Sequence, residues 1–252
     1  MSFSPLPRTL GRDDLARGSA RSLRVPRNAT KAQVLLVAWP GESAAPLVVK
    51  DYAARPLAFR VLFARACLRR EWRALTFLAG TDGVPQPVAR VDADALAMSH
   101  RPGASLAGLE PHQVPTESVR ELERFVWQLH ARGATHGDLH CNNILVDAQG
   151  HISVLDWATA CVFGPSPRGP KAWLWRECRA LDLRSLAKIK ARYAPELLRD
   201  DEHVLLVRGG TPLSRAVRRV GALRKWRVRR RAEEPAVAQS LGNESRASAT
   251  GV

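Results

Sequence analysis

The chain has 252 residues, 45 % of them hydrophobic, which is enough for one compact domain or two small lobes with a real core. Its 39 Lys and Arg against 24 Asp and Glu give a net charge of +15, suited to an anionic partner such as nucleic acid, acidic lipid or a phosphorylated substrate. The longest apolar run, 34–39, is far below the roughly 20 residues of a membrane-crossing helix.

Residues 1–30 are rich in Arg, Pro, Ser and Gly, and they read as an irregular leader without the continuous apolar stretch of a secretory signal. Strand-like runs follow at 33–38 and 47–50, separated by the turn-forming Pro40, Gly41, Glu42 and Ser43. Over 60–79 the pattern turns helical: Leu68, Trp72, Leu75 and Leu78 recur at three- and four-residue steps, and Gly80 supplies the stop. Residues 88–91 and 95–99 read as a hairpin. A second helix follows Pro115, with Thr116 as N-cap, Val119, Leu122, Phe125, Val126 and Leu129 as its apolar stripe, and Gly133 as terminator. A third covers about 176–193, with Cys178, Leu181, Leu186, Ile189 and Tyr193 facing inward. Cys67, Cys141, Cys161 and Cys178 form no CxxC pair, which points to reduced thiols in a cytosolic protein.

Between the second and third helices lies the stretch HGDLHCNNILVDAQGHISVLDW, where polar residues crowd the ends of two short apolar strands. Asp138 and Asn143 are five apart in a loop, so their side chains can converge. Asp156 comes 18 residues after Asp138, across one strand–turn–strand excursion that returns the chain beside Asn143. Asp138, Asp156 and Asn143 give an oxygen-rich pocket of two carboxylates and an amide suited to Mg²⁺, a hard cation that uses few protein ligands together with substrate phosphates. The carboxylate left over can orient a hydroxyl and accept its proton. This is equipment for phosphoryl transfer. A zinc site of His136, His140 and Cys141 is the competing reading, against which the loop context and Asp156 weigh. His136 reads as a brace of the loop, and His140 as either a phosphate contact or a brace.

The motif HGDLHCNNILV…VLDW resembles the catalytic and metal-binding loops of the protein-kinase-like superfamily, with Gly137 in place of the usual arginine. That resemblance implies an α+β, two-lobed protein-kinase-like fold, with a small β-rich N-lobe over 31–99 and a short helical C-lobe over 100–207. It implies ATP and Mg²⁺ as ligands. By the same resemblance, Lys50 in LVVKDY is the phosphate-binding lysine, Glu71 is its ion-pair partner 21 residues later, and Met98 and His100 belong to the strand and hinge that hold adenine. The chain departs from the pattern in three places. No GxGxxG precedes Lys50, Asp156-Trp157-Ala158 lacks the usual glycine, and no APE follows. A non-catalytic scaffold that kept the shell is therefore a competing class.

Bacterial lipopolysaccharide-core (Kdo/heptose) kinases and RIO-type kinases look most similar in motif style. Aminoglycoside and choline phosphotransferases fit less well, because only 37 positions separate Arg101 from Asp138. The resemblance implies a hydroxyl acceptor on a glycolipid or a protein. Residues 208–231 hold ten Lys and Arg and no acid, and Leu213, Val217, Val220, Leu223 and Trp226 fall at near-helical spacing among them. Such a segment suits an anionic membrane surface or packs on the second lobe, and RNA is a third partner for it. Residues 232–252 read as a disordered tail. The expected location is the cytoplasm, with peripheral attachment to the inner face of the inner membrane.

Overall fold

The computed structural model describes residues 10–24, 31–38 and 45–207. The basic segment 208–231 and the tail 232–252 lie outside the described residues.

The N-lobe is a five-stranded antiparallel sheet built from β1 (Ser19–Arg24), β2 (Gln33–Ala38), β3 (Leu47–Asp51), β4 (Pro87–Arg90) and β5 (Ala95–Ser99). The spatial order is β1-β2-β3-β5-β4. Here the irregular leader expected over 1–30 needs correction. Residues 12–17 form a short helix, α1 (Arg12–Arg17), and residues 19–24 form the first strand, Ser19 pairing with Ala38 and Arg21 with Leu36. The sequence SARSLR has one large apolar residue and no alternation, so its strand character comes from pairing with β2 and not from local propensity.

Alternation along β3 sends successive side chains to opposite faces of the sheet. Leu47 and Val49 join Val37, Ala97 and Leu10 in a small core under α1. On the same face Asp51 binds the Arg12 guanidinium at 2.9 Å, and that guanidinium also reaches Asp92. Val48 and Lys50 point the other way, with Leu96 and Met98, toward the main core.

Over that second face runs a helix that starts earlier than expected. It comprises α2 (Leu57–Phe59), a π turn over Arg60–Ala64 and α3 (Arg65–Phe77). Leu68 and Leu75 are buried, Trp72 is only half-buried, and Glu71 takes the inward position between the two leucines.

In the C-lobe, β6 (Ala104–Ser105) joins a hairpin, and α4 (Thr116–Ala131) buries Val119, Leu122, Phe125, Val126 and Leu129 as its periodicity requires. Thr116 is not the N-cap. Pro115 holds that position, and the Thr116 hydroxyl, already inside the first turn, donates to Glu196 at 2.7 Å. Gly133 ends the helix at φ +79, and a Cβ there would fall 1.9 Å from the Gly164 carbonyl oxygen, so only glycine fits. After β7 (Ala134–Thr135), the strands β8 (Ile144–Val146) and β9 (Ile152–Val154) pair antiparallel. Their turn is tied by the Asp147 carboxylate, which accepts from the amides of Gln149 and His151.

β10 (Cys161–Val162) pairs back onto β7 and leads to α5 (Pro170–Tyr193), six residues longer than expected at its start because Pro170 opens it after Gly169. Cys178, Leu186, Ile189 and Tyr193 are buried and Leu181 half-buried. α5 also buries two charged residues, Asp182 and Lys190. Lys190 is satisfied by Glu123 at 2.6 Å and Glu202 at 2.9 Å, which ties α5 to α4 and to α6 (Asp200–Val207).

Candidate active site

Lys50 is the centre of the site. Being one residue from Val49, it leaves the α1 face of β3 and meets the inward side of α3. Its ammonium lies 2.7 Å from Glu71 Oε2 and 2.7 Å from Asp156 Oδ1. Burial alone would lower the ammonium pKa, but the charges of Glu71 and Asp156 outweigh it and hold Lys50 above the ordinary lysine value. Glu71 is pushed up by its own burial, an effect that the Lys50 charge offsets in part. Burial also acts to raise Asp156, and here Lys50 prevails, so its carboxyl sits below the usual carboxylate range. Lys31, just before β2, adds positive charge to the same carboxylate.

The loop after β7 is held from below. His136 is fully buried, its Nε2 donating to the Leu155 carbonyl at 2.9 Å and its Nδ1 accepting the Asp138 amide at 3.3 Å. One donor and one acceptor describe a neutral imidazole, and burial accordingly pushes its pKa down. The Asp182 carboxylate accepts the His136 amide at 2.8 Å and the Gly137 amide at 2.8 Å, while His130 Nε2 stands 3.2 Å away. Gly137 adopts φ +79, and a Cβ there would meet the Thr159 carbonyl at 2.8 Å.

This frame presents Asp138 with its carboxylate half-exposed, 3.5 Å from His140 Nε2. His140 Nδ1 in turn accepts the Asn142 amide. Asn143 is buried, and its side-chain N–H donates to the Asp138 carbonyl at 3.1 Å. Its own carbonyl accepts the Leu155 amide at 2.7 Å, which brings Asp156 beside it as the length of the excursion implies. Asp156 takes a left-handed backbone, φ +63, a conformation that aspartate tolerates. Trp157 follows, fully buried, its Nε1 bonded to the Val154 carbonyl at 2.9 Å and its ring edge-on to His136 at 4.7 Å. With this indole in the core and Ala158 where the family pattern has glycine, the segment after Asp156 is anchored.

Asn143 and Asp156 together offer an amide oxygen and a carboxylate, hard donors few in number, and this set fits Mg²⁺. The zinc alternative finds no support. His136 spends both ring nitrogens on the loop, and among the described residues no group of three or more His, Cys, Asp or Glu could hold a metal. Met98 is buried on β5 opposite Val48, and His100, half-buried, follows the strand with its amide bonded to the Pro46 carbonyl.

The structure thus brings together Lys50, Glu71 and Asp156, and separately Asp138 and Asn143, which the Asp156 segment adjoins. Asp182 and Lys31 were not singled out from sequence, and Trp157 was named only as part of the metal-binding motif. A buried acid near the middle of an otherwise apolar helix face was the available signal for Asp182.

Two solved structures share this arrangement of elements. Both are Rio2 kinase from Chaetomium thermophilum, one of them a complex with ADP, Mg²⁺ and phosphoaspartate. At 17 % identity each, they superpose with TM-scores of 0.55 and 0.53 over 75 % of this chain. The chain has a protein-kinase-like fold. It spans about three-fifths of the length of the structures it matches, 59 % and 60 %. Within the kinase-like fold, residues 107–165 match the phosphotransferase enzyme family (APH), a segment that contains Asp138, Asn143 and Asp156. No curated protein matches the chain in sequence.

Proposed function

We propose that this protein is an ATP-dependent kinase that transfers the γ-phosphate to a hydroxyl group. The observation that carries the reading is the buried Lys50 ammonium held at 2.7 Å by both Glu71 and Asp156, across the two lobes. Two carboxylates alone do not mark a site, since Lys190 is held in the same way between Glu123 and Glu202 inside the C-lobe. What sets Lys50 apart is that its second carboxylate, Asp156, belongs to the segment next to Asn143 and the Asp138 loop, which places the lysine for nucleotide phosphates. It also argues against the non-catalytic scaffold, which has no use for the full set.

In this reading Lys50 contacts phosphate oxygens and Glu71 fixes its position. Met98 and His100 border the adenine, and Asn143 and Asp156 would hold Mg²⁺, which supplies charge neutralisation for the transferred group. Asp138 orients the acceptor hydroxyl and takes its proton through a carboxylate that faces solvent. His136, neutral and buried, keeps the loop in place without exchanging a proton.

For the acceptor, the reading favoured is a hydroxyl on an inner-core sugar of lipopolysaccharide, phosphorylated at the inner face of the inner membrane. Its support is the short C-lobe. After Asp156 the described residues contain one long helix and one of eight residues, without a helical platform for a peptide. The likeness to Rio2 kinase favours a second reading, transfer to a serine or threonine of a protein, or to the chain itself. Labelled ATP and Mg²⁺ incubated separately with lipopolysaccharide core, lipid and protein pools distinguish the two. Label on the sugar fraction that disappears in Asp138→Asn supports the first, label on proteins alone replaces it with the second, and no label anywhere removes both.

A further inference from the structure

Among the described residues, eleven large hydrophobic side chains are exposed, and four of them fall within residues 57–63. Leu57 is 62 % exposed, Val61 49 %, Leu62 68 % and Phe63 57 %, and the small Ala58 and Ala66 are open beside them. The patch is built rather than frayed. Phe63 stacks on Phe59 at 5.9 Å between centroids, Phe59 packs on Tyr52 at 6.2 Å, and both Arg60 and Arg65 turn back to Asp94. One turn further along the helix the exposed residues become Arg69, Arg70 and Arg73, none with an ion pair among the described residues. Between Asp51 and Asp82 the chain has a single acid, Glu71, and it is buried against Lys50.

From this pattern we infer that the exposed face of the helix over 57–73 is a docking surface for an anionic lipid bilayer. Over this length a helix runs about 24 Å, enough to lie in the interface with its apolar half among acyl chains and its arginines on headgroups. Charge decides between occupants. A second copy of the chain would bring the same unpaired arginines and no exposed carboxylate from this helix to meet them, whereas an anionic leaflet supplies the missing negative charge. The face is distinct from segment 208–231, where the sequence alone suggested membrane contact. It stands on its own surface chemistry, whatever the phosphate acceptor is.

The test uses the full chain with vesicles of phosphatidylcholine, alone or mixed with phosphatidylglycerol. Wild type should co-sediment with the mixed vesicles and stay in solution with the neutral ones. Leu62→Asp/Phe63→Asp and Arg69→Gln/Arg70→Gln/Arg73→Gln should each partition about tenfold more weakly, with thermal midpoints unchanged. Should the aspartates disturb folding, Leu62→Ser/Phe63→Ser removes the same contacts with less perturbation. All variants keep residues 208–231, so wild-type partitioning in both would assign membrane binding elsewhere and overturn the inference. Failure of wild type to bind would do the same. So would a dimer in sedimentation velocity that the leucine–phenylalanine change dissolves without any vesicle binding. Nucleotide turnover without lipid is read separately, so a failed kinase assay and a failed docking surface cannot be confused.

Discussion

Replacing Asp182 with alanine removes the acceptor that two loop amides share. The carboxylate lies inside the C-lobe and takes the His136 and Gly137 amides at 2.8 Å each. Each buried donor left unpaired costs about 1–3 kcal/mol, so the two together cost about 2–6 kcal/mol. Removing a buried carboxylate also relieves its own desolvation, which offsets part of that, and the expected net destabilisation is about 3 kcal/mol. Urea unfolding should show a lower midpoint with an unchanged slope. The residue after Gly137 is Asp138, so a loosened loop misplaces the proposed proton acceptor. Turnover should fall about 100-fold while KM for ATP changes little, since Lys50 and Asp156 are held elsewhere. Asp182→Asn keeps one acceptor oxygen and should fall between. A loss below about 1 kcal/mol with normal turnover would show that the amides find other partners and that the loop does not depend on α5.

Asp156→Ala should abolish Mg²⁺-dependent nucleotide binding in calorimetric titration, whereas Asp138→Asn should bind nearly as wild type yet fail to turn over; equal binding loss in the two would undo the division of roles. Lys50→Ala and Glu71→Ala should be clearly less than additive in kcat/KM, since either breaks the 2.7 Å pair, and independent losses would reduce Glu71 to a packing residue. Stability should fall as the pH drops through the ordinary histidine range. His136 and His100 are both held below the ordinary histidine pKa by burial, so the unfolded chain binds more protons as pH drops below about 6.5, and folding free energy is lost there. Thermal midpoints between pH 7.5 and 5.5 check the sign, and His136→Gln should flatten the slope; an unchanged slope would mean that His136 is charged in the folded state.

The elements with strong local signals were legible in the sequence. The stripe of α4 needed only periodicity, the short apolar runs of β3 and β5 needed only flanking turns, and the Asp138–Asn143–Asp156 spacing needed only a hairpin of known length. What escaped was set by partners far away in the chain. β1 is a strand because β2 lies beside it, and Asp182 serves a loop 45 residues earlier without any motif around it. Glu71 and Trp72 show the same limit within one helix. The hydrophobic stripe favoured the tryptophan inward, but the Lys50 charge draws the glutamate into the buried place.

The strand Ser19–Arg24 has a further consequence. β2 carries four consecutive apolar residues, Val34 to Val37, and β1 occupies the hydrogen-bonding side that β3 leaves free. A chain cut to begin at Lys31, where periodicity alone would start the domain, would leave those amides and carbonyls open along a flat hydrophobic rim. Such a rim recruits strands from other molecules. The polar SARSLR sequence, with Arg21 exposed on the outermost position, is what makes that rim unattractive to a neighbour. Its low apolar content, which hid it from pattern reading, is the property that keeps the sheet from growing into an aggregate.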